Sequence, residues 1–190
     1  MLRVKLNIKG STTPEQFSKL TRARELFEKA VNSREFKTEV VGYSYDEWSS
    51  TGRLWWRKWT KRKVAGFREC SESGQQVYDK IMTGGEDLSP EIDHEADIEV
   101  QVEVGSRGVI GWTNPHTPIQ WISSWFINSR DVVPAEIAGN LSHEWMHKMG
   151  YDHAFRYYDG REDTVPYAVG EIISKLAQDI EKGIKLTPNE

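Results

Sequence analysis

Residues 143–153 read His-Glu-Trp-Met-His-Lys-Met-Gly-Tyr-Asp-His, which is H-E-x-x-H-x-x-G-x-x-H, and they hold three of the chain's five histidines. His143 and His147 are one helical turn apart, so both imidazoles leave the same face and can reach one ion. Glu144 points about 100° away from His143, near enough to take a proton from a water at that ion. Gly150 tolerates positive φ and can end the helix. The chain then turns, and His153 can return as a third ligand. Three imidazole nitrogens on one zinc ion leave a fourth position for water, the mark of a catalytic rather than a structural zinc site. An amphipathic helix with surface histidines and a glycine cap would explain Gly150, but not three histidines and Glu144 together.

The same residues resemble the signature of the metzincin clan of zinc metallopeptidases. Their interior is most similar to the astacin form, with Met146 at the fourth position and an aromatic, Tyr151, directly after the glycine. The resemblance implies His143, His147 and His153 as ligands of one catalytic Zn2+ and Glu144 as general base in peptide hydrolysis. It also implies an α+β, zincin-like fold: a twisted mixed sheet with helices above a cleft, and a small C-terminal lobe ending in a helix. Residues 1–190 would form one metallopeptidase-like domain, with an upper lobe of about 1–150 and a lower lobe of about 151–190. The strand that pairs with extended substrate would be about Val109 to Thr113.

Downstream the sequence departs from that pattern. All four methionines (Met1, Met82, Met146, Met149) precede His153, so no methionine can form the turn that metzincins place below the metal. Thr164-Val165-Pro166-Tyr167 is the expected counterpart, with Pro166 pre-setting φ for a turn. By the same resemblance Tyr167 is a candidate to help stabilise an oxyanion; its alternative role is a packed aromatic. Secreted astacin-like enzymes are usually disulfide-bonded, whereas the single cysteine, Cys70, excludes an internal disulfide. Cys70 is expected as a reduced, partly buried thiol rather than a zinc ligand.

Several elements must position these residues. Alternation of Leu2, Val4, Leu6 and Ile8 predicts a half-buried strand. Thr13-Pro14-Glu15-Gln16 is a helix start with capping-box spacing, and Phe17, Leu20, Phe27, Ala30 and Val31 form its apolar stripe to about Asn32. Residues 36–45 read as a second strand, and 46–71 give no clear period. Glu72 to Thr83 reads as a short helix stopped by Gly84-Gly85. Ile98, Val100, Val102 and Val104 alternate with Glu99, Gln101 and Glu103, as in a strand with one apolar face. Val109 to Thr113 and Ile119 to Ile127 are two further strands. The motif helix starts near Pro134 and buries Ile137, Leu141, Trp145 and Met149. A polar loop over 152–164 precedes a last helix, about Ala168 to Lys182, and Leu186 to Glu190 is a loose tail.

Residues 53–63 interleave Trp55, Trp56 and Trp59 with Arg53, Arg57, Lys58, Lys61, Arg62 and Lys63. Such a patch either packs its tryptophans inward or recruits an anionic partner, for which Trp55, Trp56, Arg57, Lys58 and Trp59 are the candidates. Trp112, Trp121 and Trp125 are expected in the core, with substrate subsites as the alternative. His116 and His94 read as surface residues.

Net charge is −4 over 190 residues, which suggests no global field for nucleic acid or membrane. No stretch is long and apolar enough to span a bilayer or act as a signal peptide. A cytoplasmic monomer is the default expectation, with export by a non-standard route left open. The reading of function is a zinc-dependent endopeptidase acting on a protein or peptide. Its alternatives are a zinc-dependent amidase or deamidase-type effector, and a non-catalytic zinc-containing module that binds through the 53–63 patch.

Overall fold

Strand β1, Arg3–Lys9, forms where the alternation predicts it. The computed structural model of which it is part describes residues 1–51, 58–114, 116–153 and 160–189. Helix α1, Pro14–Val31, opens on a complete capping box: Gln16 N donates to Thr13 Oγ1 and Thr13 N donates to Gln16 Oε1. Because Gln16 turns inward to serve the cap and to donate to Asn128, the buried stripe runs through Gln16, Leu20, Ala23, Phe27 and Ala30. Phe17, expected on that stripe, lies one position off it and is 55% exposed.

The expected strand over 36–45 is instead helix α2, Arg34–Val41. Phe36, Thr38 and Val40 suit either period, but Ser33 accepts from Phe36 N as an N-cap, and burial falls on Phe36 and Val40, four residues apart. The chain then forms strands β2, Ser44–Thr51, and β3, Lys58–Ala65, which make an antiparallel two-stranded sheet of their own. Helix α3, Gly74–Thr83, buries Val77 and Ile81 and stops at Gly84, whose φ is 77°.

Strand β4, Glu95–Glu103, pairs in parallel with β1. It ends one residue before Val104, which is 89% exposed and not the core residue that alternation suggests. Strand β5 is only Gly111–Thr113, while Val109 and Ile110 are exposed. Strand β6, Ile119–Ser123, pairs in parallel with β4 and antiparallel with β5. The expected strand to Ile127 ends at Ser123, where the chain winds into a helical turn, α4, Ser124–Ile127. Ser123 Oγ there donates to the Val109 carbonyl, tying the end of β6 to the chain before β5. The larger sheet is therefore mixed, in the order β1-β4-β6-β5, with β5 at an edge.

Helix α5, Pro134–Lys148, carries the motif. Pro134 sits in its first turn, and the Glu136 carboxylate accepts from Val133 N. Ile137, Leu141, Trp145 and Met149 are all buried to 1% exposure or less, as their spacing demands. Trp145 meets the edge of Phe27 from α1 at 6.0 Å, and its Nε1 donates to Glu86.

Helix α6, Val165–Glu181, begins three residues earlier than expected. Thr164 to Tyr167 is thus its N-cap and first turn, not a separate tight turn; Pro166, which lacks an N–H, suits that position. Gly139 of α5 and Gly170 of α6 let the two helices touch backbone to backbone: a Cβ at Gly139 would lie 2.7 Å from the Gly170 carbonyl oxygen. One hydrophobic core includes residues of α1, α2, α3, the four-stranded sheet, α5 and α6.

The tail is tied down rather than loose. Arg34 N donates to Thr187 O, Asn189 N to Asn32 O, and Asn189 Nδ2 to the Tyr78 hydroxyl. No helix among the described residues is long and apolar enough to cross a membrane.

Candidate metal centre

His143 and His147 leave α5 one turn apart, and the chain after Gly150 brings His153 back to them. That return has identifiable causes. Gly150 takes φ 85°, and a Cβ there would lie 3.0 Å from the Asp87 carboxylate. Gly150 N then donates to His147 O, and Tyr151 N to Met146 O. The Tyr151 hydroxyl donates to the Glu72 carboxylate, which fixes the turn against the chain just before α3.

The ligand atoms of His143, His147 and His153 all lie within 4.8 Å of one another, and His143 Nε2 is 3.3 Å from His153 Nε2. His147 Nδ1 lies 2.9 Å from Tyr151 O. Such a bond fixes ring orientation and tautomer and leaves the far nitrogen free to ligate. Burial holds His143 well below the ordinary histidine range, reinforced by the charges of His147, His153 and Arg161. Burial also lowers His147, helped by His153 and opposed by the bond to Tyr151. Rings kept neutral in this way can hold a metal ion.

Glu144 is 5% exposed. Burial pushes its carboxyl up to about 8, against the pull of the Lys148 charge. Lys148, itself 2% exposed, donates to Thr117 O and is lowered by burial, while Glu86, Glu99 and Glu144 act in the other direction. Asn140, Glu144 and Lys148 recur every four residues, so α5 carries a buried polar stripe as well as its apolar one. Asn140 lies against Gly111 of β5, while Lys148 reaches Thr117 between β5 and β6.

Tyr167 joins the cluster from the first turn of α6. Its ring centre is 4.5 Å from that of His143 and 4.8 Å from that of His153. The structure brings together His143, His147, His153 and Tyr167, while Glu144, next to His143 on α5, is buried and its charge acts on Tyr167. It adds Arg161, whose guanidinium lies over the Tyr167 ring at 4.6 Å. Arg161 belongs to a short 3₁₀ turn, Arg161–Asp163, held from the other side: Arg68 N donates to Asp163 O, and the Tyr43 hydroxyl bonds the Asp163 carboxylate. Read as a sequence, Arg161 is one charge in a polar loop. Only the contact with Arg68 and Tyr43, distant along the chain, sets its place.

The remaining candidates lie elsewhere. Cys70 is half-buried, its thiol pushed up by burial and bonded to Glu72 O, consistent with a plain thiol. His116 and His94 are exposed, and the His94 ring meets the Met82 carbonyl. Trp112 and Trp121 stack across β5 and β6 with centres 6.0 Å apart, both half-buried. Trp125 is 41% exposed, so this trio is not the core group expected of it. Of the 53–63 patch, Trp55, Trp56 and Arg57 lie outside the described residues, Lys58 begins β3, and Trp59 is 61% exposed rather than packed inward.

No known family's profile matches this chain, and no curated protein is recognisably similar to it in sequence.

Proposed function

We propose that the chain is a zinc-dependent hydrolase that cleaves peptide bonds, with a zincin-like arrangement of its α+β fold. The observation that carries this reading is the convergence of three imidazoles, with Glu144 buried at the helix position next to His143. The donor set suits zinc. Ligands about 2.0–2.1 Å from a tetrahedral ion stand roughly 3.3–3.4 Å apart, close to the 3.3 Å between His143 Nε2 and His153 Nε2. Bound there, zinc would supply Lewis acidity to the scissile carbonyl and lower the pKa of water.

The protein's own groups do the rest. With the charge of a bound ion pulling its raised carboxyl back down, Glu144 would take the proton of the attacking water on a carboxylate oxygen and return it to the leaving amine. Tyr167, whose ring packs on His143 and His153, would donate its hydroxyl proton to negative charge developing beside them. Edge strand β5 offers main-chain groups to an extended peptide.

The test is incubation of the purified protein with a diverse peptide library, with and without a chelator, read by mass spectrometry. Cleaved products that vanish on chelation are expected, together with one zinc per chain. Mass-shifted but uncut peptides would indicate an amidase instead. Glu144→Ala should keep the zinc and lose turnover by about 10²–10⁴-fold. A protein purified without stoichiometric zinc, or an active Glu144→Ala variant, would sink the proposal.

A further inference from the structure

The β2–β3 hairpin is a sheet apart: its strands pair with each other and not with the four-stranded sheet. The register sets Trp48 opposite Lys61, Ser50 opposite Trp59, and Asp46 opposite Lys63, so these six side chains share one face. On that face Trp48 is 60% and Trp59 61% exposed, although tryptophan is among the side chains that gain most from burial. Lys61 lies 5.9 Å from the centre of the Trp48 ring and pairs with Asp46. Residues 44–65 carry six Lys and Arg against two Asp and Glu, within a chain of net charge −4. This segment therefore carries a net charge of +4 and the rest of the chain −8.

Character also changes in order along this face. Asp46 and Lys63 stand nearest the base, then Trp48 and Lys61, then Trp59. Trp59 toward one end of this face, Trp48 with Lys61 behind it, and Asp46 with Lys63 at the base match the profile of a lipid interface. There tryptophan rings sit at headgroup level and lysines reach back to phosphate. A single-stranded nucleic acid calls instead for aromatics and cations distributed along its whole path.

We propose that this face of the hairpin docks the protein on an anionic lipid surface. Trp48 and Trp59 would enter the headgroup region, with Lys61 and Lys63 against the phosphates. The inference is independent of the hydrolytic reading, since no residue of the metal cluster takes part. The experiment is flotation of the full-length protein with phosphatidylcholine vesicles, with and without phosphatidylglycerol, at low and high salt, with tryptophan emission recorded alongside. Binding at least about tenfold tighter to the anionic vesicles is expected, weakened by salt and accompanied by a blue shift. Lys61→Gln and Lys63→Gln should each weaken it about fivefold. Trp48→Ser with Trp59→Ser should remove most of the blue shift. If the tryptophan variants unfold the hairpin, the lysine variants and the lipid comparison still decide. Failure to float with anionic vesicles, equal binding to neutral ones, or indifference to both lysine substitutions overturns the proposal. So does retention on a thymidine oligonucleotide by a protein that ignores vesicles.

Discussion

Helix α5 and the β2–β3 hairpin both concentrate tryptophan and charge, but they handle them in opposite ways. Trp145 of α5 is fully buried, its Nε1 bonded to Glu86, and Lys148 is buried with its ammonium on a carbonyl. Trp48 and Trp59 of the hairpin are mostly in solvent, and Arg62 and Lys61 answer Glu47 and Asp46 in exposed pairs. In the first region the polar groups are held by many elements at once, and burial shifts their protonation. In the second, Lys61 and Arg62 are each held by a carboxylate on the adjoining strand, and water screens the pairs. A site that must hold a metal and a general base in fixed positions needs the first arrangement. A surface that meets a partner can use the second.

The sharpest break between the two regions should come from the metal. His147→Ala removes a donor from the centre of the cluster, and metal binding to a folded site is also folding free energy. The variant should lose stoichiometric zinc and several kcal/mol of stability, read as a large fall in melting temperature. Chelation of the unsubstituted protein should reproduce most of that fall. Substitutions at Trp48 or Lys61 should leave zinc content unchanged. A His147→Ala protein that kept both zinc and melting temperature would remove the basis for a three-histidine site.

With the metal chelated, pH separates the groups of the cluster. His143 and His147 titrate below their ordinary value of 6.5 when folded, so the unfolded chain binds more protons and stability is lost as pH falls below about 6.5. Glu144 is raised from 4.5 to about 8, so between those values the folded chain binds the extra proton and stability falls as pH rises. Well above 6.5 the histidines no longer contribute, and Glu86, also raised by burial, acts in the same direction as Glu144. Chelated protein should therefore lose up to a few kcal/mol of stability from pH 6.5 toward pH 8. Denaturant titrations across this range test it, and a profile still rising from 6.5 to 8 would contradict the burial of Glu144.

A third effect probes how α6 reaches the cluster. Gly139→Ala improves helix propensity by about 1 kcal/mol, but its Cβ would meet the Gly170 carbonyl oxygen at 2.7 Å and Ser174 Cβ at 2.8 Å. Backbone cannot yield as a flexible side chain can, so a net loss of about 1–3 kcal/mol is expected. Because α6 carries Pro166 and Tyr167, zinc affinity should fall with stability. Unchanged affinity would show that the Tyr167 ring packed on His143 is not what orients it.

The two regions also differ in how far the sequence discloses them. The metal cluster was legible because its causes are local: a four-residue spacing on one helix, then Gly150 and a fixed count to His153. The motif helix was legible because Ile137, Leu141, Trp145 and Met149 repeat at helical spacing against one core. Arg161 was not, since its position depends on Arg68 and Tyr43. The hairpin gave no period because strand alternation shows in sequence only when one face is buried, and here Trp48 and Trp59 face water. Residues 36–45 misled for a related reason: Phe36, Thr38 and Val40 fit both periods, and the Ser33 cap decided between them.

The smallest expected effect lies on the hairpin and defines the contrast most finely. Glu47 and Arg62 face each other in register, with Arg62 Nη2 2.6 Å from Glu47 Oε2, Arg62 exposed and Glu47 half-buried. An exposed pair of this kind contributes about 0.2–1 kcal/mol, less at high salt. Arg62→Ala should therefore leave global unfolding almost unchanged. Among the described residues no second layer covers the hairpin, however, so its local opening should be far easier than that of α5. Amide hydrogen exchange in β2 and β3 should quicken severalfold in Arg62→Ala, while exchange at Leu141 and Trp145 stays at the global limit. Equal acceleration in both regions would mean that the hairpin unfolds only with the core, and that its exposed tryptophans are more firmly held than their contacts imply.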